Sequence, residues 1–358
     1  FDTFVSELCP RLAAMGHEVT VLCQRKYSDP DSPRSYKGVR LVYLPTLHTK
    51  VTETLFHEFF SSLFALFQER YDIYYILGCR STIVYLPHWL LRRNLIINTD
   101  GLDFARRKWG SVARTWLRFT YWLARQIACE LVSDSKEIKR YYLEKYRMNS
   151  IFLTNGGYVL DSTQPQTIEQ YGVKPGEYFF IACRIEPENN IHLIVEAFEQ
   201  VKTDKKLVIA GGANYRSTYV AKRCETKDQR IRFLGPIYTP GHIEELHLNC
   251  FAYLHGHEVG GTNPSLLKAM GCGNIVIAHN VQFNAEVLGG TGILFEKRVD
   301  SIREKIEYVL AHYDQLQHLR QAARDRVRTY YSWDKVAADH AHCFAEFLKG
   351  TKNYRESF

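Results

Sequence analysis

Residues 253 to 273, Tyr-Leu-His-Gly-His-Glu-Val-Gly-Gly-Thr-Asn-Pro-Ser-Leu-Leu-Lys-Ala-Met-Gly-Cys-Gly, hold the residue types that bind an anion: a strand end, a glycine-bearing loop and a capped helix start. Asn263 suits the N-cap and Pro264 the first helical position, whose missing N–H has no intrahelical partner to lose. The loop then offers backbone N–H groups and the positive end of the helix dipole to a phosphate or diphosphate. A plain turn between strand and helix has the same composition, so other segments must bear on the choice.

Three segments do. Arg184, in Ala182-Cys-Arg-Ile-Glu-Pro-Glu-Asn-Asn190, ends a strand, where its guanidinium fork could grip a diphosphate or form an ordinary surface ion pair. Phe233-Leu-Gly-Pro-Ile237 ends another strand, and Gly235 admits either a close-lying aromatic base or a simple turn. Glu286, in Phe283-Asn-Ala-Glu-Val-Leu-Gly-Gly290, is either a ligand group or a helix-start carboxylate. Arg184, Gly235, the 255–265 loop and Glu286 fall in successive strand-to-helix connections, at one edge of one sheet.

The elements that must hold these residues alternate. His17–Cys23, Val39–Leu44, Ile73–Leu77, Leu95–Thr99, Leu131–Ser133 and Ser150–Leu153 read as strands of a first parallel sheet. Tyr178–Cys183, Lys206–Ala210, Ile231–Leu234, Cys250–Leu254, Asn274–Ala278 and Gly292–Leu294 read as a second, with helices between. The alternation predicts two doubly wound α/β domains, with 161–177 as linker and a shared ligand in a cleft between them. The chain opens on a helix, Phe1 to Met15, and the spacing of a βα unit leads us to expect a strand and glycine-bearing turn before it.

Composition sets the class. The chain has 358 residues, 46% apolar and 24% charged, which suits two soluble domains and excludes a fibrous or disordered chain. No apolar run approaches the roughly 20 residues that span a bilayer, and no signal peptide is expected. Nine cysteines lie scattered without zinc-like spacing, as in reduced thiols of a cytoplasmic protein. The net charge of +7 is concentrated between Arg92 and Arg147, which points to an anionic partner.

With those residues in view, the chain resembles a known family. Arg184-x-x-Pro-Glu-Asn-Asn190, Ala210-Gly-Gly-Ala213, Phe233-Leu-Gly-Pro236 and His255-Gly-His-x-Val-Gly-Gly-Thr-Asn-Pro-Ser-Leu-Leu267 are similar to motifs of the family 4 retaining glycosyltransferases of GT-B fold, in their bacterial rhamnosyltransferase-like branch. Asp2-Thr-Phe-Val-Ser-Glu-Leu8 resembles the helix after that family's N-terminal glycine loop, and Asp100-Gly-Leu-Asp-Phe-Ala-Arg-Arg-Lys-Trp109 a signature of the branch. The resemblance implies an acceptor-side Rossmann-like domain over 1–165, a nucleotide-sugar domain over 166–332, and a C-terminal helix over 333–358 packing back on the first. It implies a nucleotide-diphosphate sugar as donor, no cofactor and no metal.

On that resemblance Arg184 and Asn189 contact the diphosphate, and the backbone N–H groups of Gly261, Thr262 and Asn263 complete the cradle. Gly235, Pro236 and Ile237 line the base, and Gly212, Gly260, Ser265, Lys268 and Glu286 join the donor set. Asp100 stands where many relatives place a histidine and would orient the acceptor hydroxyl, although a turn or cap role suits it too. The family's acidic pair falls on Gly260 and Lys268; the glycine suits the branch, but the lysine replaces a carboxylate that can accept ribose hydroxyl protons.

Arg106, Arg107, Lys108 and Trp109 open a basic, aromatic stretch that runs to Ala128 and includes Arg114, Trp116, Arg118, Phe119, Tyr121 and Trp122. It reads as a contact for an acceptor or a membrane headgroup region, or as an ordinary domain helix; no nucleic-acid module accompanies it. The function expected is transfer of a sugar, such as rhamnose, to a saccharide or polyprenyl-linked acceptor at the inner face of the plasma membrane. The alternatives are a sugar-nucleotide epimerase of the same fold, or a non-catalytic binding or assembly subunit in which Lys268 has spoiled donor use.

Overall fold

The computed structural model describes residues 1–25, 32–46, 53–68, 70–106, 109–212 and 226–350. They divide into two units. The first takes residues 1–105, 109–154 and the chain from Trp333; the second takes 155–332 with 106–108.

In the first unit α1 (Asp2–Ala14) leads to β1 (Thr20–Gln24), β2 (Ser35–Tyr36) and β3 (Val39–Leu44), then α2 (Glu53–Phe67) and β4 (Tyr74–Leu77). There follow α3 (Leu86–Leu90), β5 (Leu95–Asn98), α4 (Ser111–Ile127), β6 (Glu130–Ser133), α5 (Lys136–Tyr146) and β7 (Ile151–Phe152). The single first sheet expected from the sequence is instead two: a three-stranded sheet ordered β1-β3-β2, and a parallel four-stranded sheet ordered β4-β5-β6-β7. Strand β2 pairs antiparallel with β3. A hydrophobic pattern identifies strands one at a time; which edges pair depends on spatial neighbours that it does not contain. Leu95, Ile96 and Ile97 are fully buried, as in a parallel strand covered on both faces.

The second unit holds β8 (Tyr178–Ala182), α6 (Ile191–Glu199), β9 (Lys206–Ala210), β10 (Ile231–Gly235) and α7 (His242–Leu248). It continues with β11 (Ala252–His255), α8 (Pro264–Gly271), β12 (Val276–His279), α9 (Gln282–Leu288), β13 (Ile293–Phe295), α10 (Val299–Ala311) and α11 (Gln317–Tyr330). Its six parallel strands run β10-β9-β8-β11-β12-β13, so the chain winds one way from β8 and the other way from β11. The crevice beyond the carboxyl ends of β8 and β11 is therefore the topological switch point, where such sheets bind ligands.

The division between units falls after Thr154, ahead of the expected 165/166 boundary, because the intervening segment is tied to the second unit. Gly157 N–H donates to Tyr331 O at 2.7 Å, and Glu245 accepts from Ser162 Oγ, Thr163 N and Gln164 N at 2.6, 2.9 and 2.8 Å. The last helix, α12 (Trp333–Lys349), lies in the first unit. Its Trp333, Val336 and Ala337 share a core with Phe4, Leu8 and Leu12 of α1, and Arg11 pairs with Asp334 at 2.7 Å.

Candidate functional site

Asn263 caps α8: its Oδ1 accepts from Ser265 N and from Ser265 Oγ, each at 2.9 Å. Pro264 occupies the first turn, and no acidic residue does, so nothing there competes with a bound anion for the helix dipole. Thr262 is buried, and its carbonyl accepts from Asn155 Nδ2 at 3.2 Å, which anchors the loop from behind. Gly260 and Gly261 are partly buried just ahead of it.

Arg184 leaves the end of β8 half-exposed, 3.6 Å from Glu186. Asn189 is buried, and its Nδ2 donates to Arg184 O at 2.6 Å, so its side chain fastens the arginine's own loop. Asn190 adopts a left-handed backbone at φ 54° and donates from Nδ2 to Gly256 O at 2.8 Å. The Asn190–Gly256 bond joins the loops after β8 and β11. A Cβ on Gly256 would lie 2.2 Å from Asn189 O, and one on Gly211 would lie 1.8 Å from Cys183 O, so both crossings exclude side chains. Gly211 N donates to Gly235 O at 2.8 Å, and Gly212 lies against Pro236. The expected residues at Arg184, Asn189, Gly212, Gly235 to Ile237 and Gly260 to Ser265 thus gather on the carboxyl-end loops of β8 to β11.

The two remaining expected members lie on helices of the same unit. Glu286, on α9, gives its backbone carbonyl to Arg326 Nη2 of α11 at 2.7 Å. Lys268, in the second turn of α8, is ion-paired with Glu244 in the first turn of α7.

Sequence reasoning assigned no role to a column of histidines behind this loop. His247 and His255 are fully buried, and the His255 and His257 rings stack at 4.2 Å and 14°. Burial holds His247 down at about 3 and His255 well below the ordinary imidazole value, so both are neutral at pH 7. His257 is lowered to about 3 by burial and then by the Arg184 charge. The signal was visible as His-Gly-His at a strand end, but nothing in one sequence says that both rings turn inward.

In the first unit, Asp100 follows β5 with φ 44°, a conformation rare outside glycine, and Gly101 continues it at 78°. Asp100 N–H donates to Asn98 Oδ1 at 3.0 Å, and Tyr121 Oη lies 3.1 Å from Thr99 O and 3.2 Å from Gly101 O. Arg80 pairs with buried Asp103 at 2.6 Å and stands 5.9 Å from the Trp109 ring. Arg106, which groups with the second unit, is partly buried; Arg107 and Lys108 lie outside the described residues. On α4, Val112, Trp116, Phe119 and Trp122 are exposed along one side, with the Phe119 and Trp122 rings stacked at 5.9 Å. No helix among the described residues is long and apolar enough to cross a membrane.

Two Rossmann-like α/β units, with a glycine-bearing loop and a capped helix start at the switch point of the second, define the GT-B class of fold. Residues 164–326 match the family described as glycosyl transferases group 1, and residues 2–150 the glycosyl transferase 4-like domain. The chain belongs to this group 1/4 family of GT-B glycosyltransferases. It is similar in fold to a sucrose-phosphate synthase from Thermosynechococcus elongatus, at 18% identity over 98% of this chain and 94% of that one, with a TM-score of 0.77. The Anabaena protein HepE in complex with UDP-glucose is similar at 16% identity over 97% and 96%, with a TM-score of 0.74. WaaG, a glycosyltransferase involved in lipopolysaccharide biosynthesis, is similar at 15% identity over 95% of each chain, with a TM-score of 0.67. A comparison with curated protein sequences gave no match.

Proposed function

We propose that this protein is a retaining, metal-independent glycosyltransferase that moves a deoxyhexose such as rhamnose from a nucleotide-diphosphate sugar to a saccharide or polyprenyl-linked acceptor in surface-polysaccharide synthesis. The observation that carries the reading is the cradle of capped α8, its Gly260–Asn263 loop and Arg184 at one switch point. There the helix dipole and guanidinium stabilise the charge that develops on the departing diphosphate, which is the role a metal would otherwise fill. The departing oxygen takes the acceptor's proton on the face it leaves, so the new bond forms on that face and configuration is retained.

The acceptor is read at the first unit, near Asp100 and Trp109, and the exposed aromatic side of α4 with Arg118 suits a lipid headgroup region at the inner face of the plasma membrane. HepE with its UDP-glucose and WaaG with its lipopolysaccharide role support a nucleotide-sugar donor and a glycan acceptor. The test is a panel of nucleotide-diphosphate sugars, each assayed by thermal shift and then for transfer with and without EDTA. One donor that raises Tm and is consumed only with acceptor, equally in EDTA, supports the reading. Acceptor-free release of an epimerised product would replace it with the epimerase.

A further inference from the structure

The ion pair between Lys268 and Glu244 joins two helices of the second unit, and each side chain is about one-third exposed, at 37% and 31%. An ion pair so placed contributes little to stability. Its neighbour Glu245 shows what a structural carboxylate does here: it is buried and accepts from Ser162, Thr163, Gln164 and Asn249. Glu244 instead faces Lys268 with Oε1, and Lys268 holds its carboxyl below the ordinary value against the cost of burial.

Its position follows the order of parts in a nucleoside diphosphate. The loop read as lining the base, Gly235 to Ile237, runs directly into α7, whose first turn carries Glu244. The diphosphate cradle is the start of α8, and Lys268 lies about one turn, or about 6 Å, further along that helix. On the donor-site reading the pentose, which joins base to diphosphate, falls between these two loops, and the Lys268–Glu244 pair links the helices that follow them. The pentose hydroxyls are donors that need an acceptor, and lysine has none to offer, whereas a carboxylate has about four lone-pair sites and spends one on the ammonium.

We propose that Glu244, positioned by Lys268, accepts hydrogen bonds from the pentose hydroxyls of the donor nucleotide. This rests on the donor-site reading above. The helix-borne carboxylate is thus supplied by α7, while the ammonium on α8 offsets the repulsion between that carboxylate and the diphosphate.

The test uses the full chain, titrated calorimetrically with nucleoside diphosphates, with the 2′,3′-dideoxy counterpart of the tightest binder, and with inorganic pyrophosphate. Wild type is expected to bind the hydroxylated form at least tenfold more tightly than the dideoxy form, as hydrogen bonds to a charged acceptor allow. Glu244→Gln should reduce that ratio below about threefold while pyrophosphate affinity stays within about twofold. If Glu244→Gln is too unstable to titrate, Glu244→Asp keeps the charge for Lys268 but draws it back, and the same loss of ratio is expected. A wild-type ratio near one, or variants that keep the wild-type ratio, would overturn the proposal and leave the donor site standing. No binding of any nucleoside diphosphate to wild type would overturn both.

Discussion

Gly256→Ala tests whether the loops after β8 and β11 act as one body. The added Cβ would lie 2.2 Å from Asn189 O, 3.0 Å from Ile194 Cδ1 and 3.2 Å from Asn189 C. Carbon–oxygen contacts settle near 3.3 Å, so the carbonyl must retreat by about 1 Å. It cannot do so alone, because Asn190 Nδ2 holds Gly256 O and Asn189 Nδ2 holds Arg184 O. Forced overpacking of this kind costs about 3 kcal/mol, and in a unit of this size each kcal/mol lowers Tm by about 2–4 °C, giving a fall of about 6–12 °C. The displacement reaches Arg184, and a 1 Å misplacement of a positioning group reduces turnover by about 100-fold. Differential scanning fluorimetry and donor turnover report the two effects, with Gly110→Ala as control, since nothing lies within 4 Å of a Cβ there. If Gly256→Ala kept Tm within about 2 °C and turnover within about twofold of wild type, the coupling of the two loops would be wrong.

Acid should unfold the protein through its buried histidines. His247 and His255 both have folded values below the unfolded one, so their contribution is complete above pH 6.5 and is lost as pH falls; His247, held at about 3, alone accounts for a loss of about 2 kcal/mol at pH 5, at about 1.4 kcal/mol per pH unit, and His255 acts in the same direction. Urea titrations at pH 7.5, 6 and 5 would show it, and a flat profile would contradict it. Arg184→Ala should weaken pyrophosphate binding by tenfold or more, read by calorimetry, because a charge-assisted contact is lost; unchanged affinity would remove the arginine from the cradle. Trp333→Ala should cost about 3–5 kcal/mol by emptying the space between α12 and α1. Chemical denaturation measures it, and a loss below about 1 kcal/mol would mean that this core closes over the gap.

The sequence made the loops of the second unit legible because their chemistry is local: Asn263 caps its helix by accepting from Ser265 two residues on, and Arg184 follows directly on the apolar run of β8. What it hid depends on long sequence separation. Lys268 meets Glu244 from a different helix, and the carbonyl that makes Gly256 obligatory belongs to Asn189. Neither pairing leaves a periodic mark. The split of the first sheet is hidden for the same reason, since β1 and β4 look alike whether or not they share hydrogen bonds. Lys268 was legible as a departure from the family, but its partner was not.

The return of α12 to the first unit also sets an order of assembly. Apart from residues 106–108, the second unit is a single stretch, 155–332, whose two ends meet, with Gly157 bridged to Ser332 and bonded to Tyr331. It is an insertion within its neighbour, closed at its own base, and can fold as soon as that stretch has emerged from the ribosome. The core of Phe4, Leu8 and Leu12 must wait for Trp333, Val336 and Ala337, so the unit made first is finished last. Until then one apolar face of α1 is uncovered, and a chain stalled within α12 would carry a complete second unit and an unfinished first one.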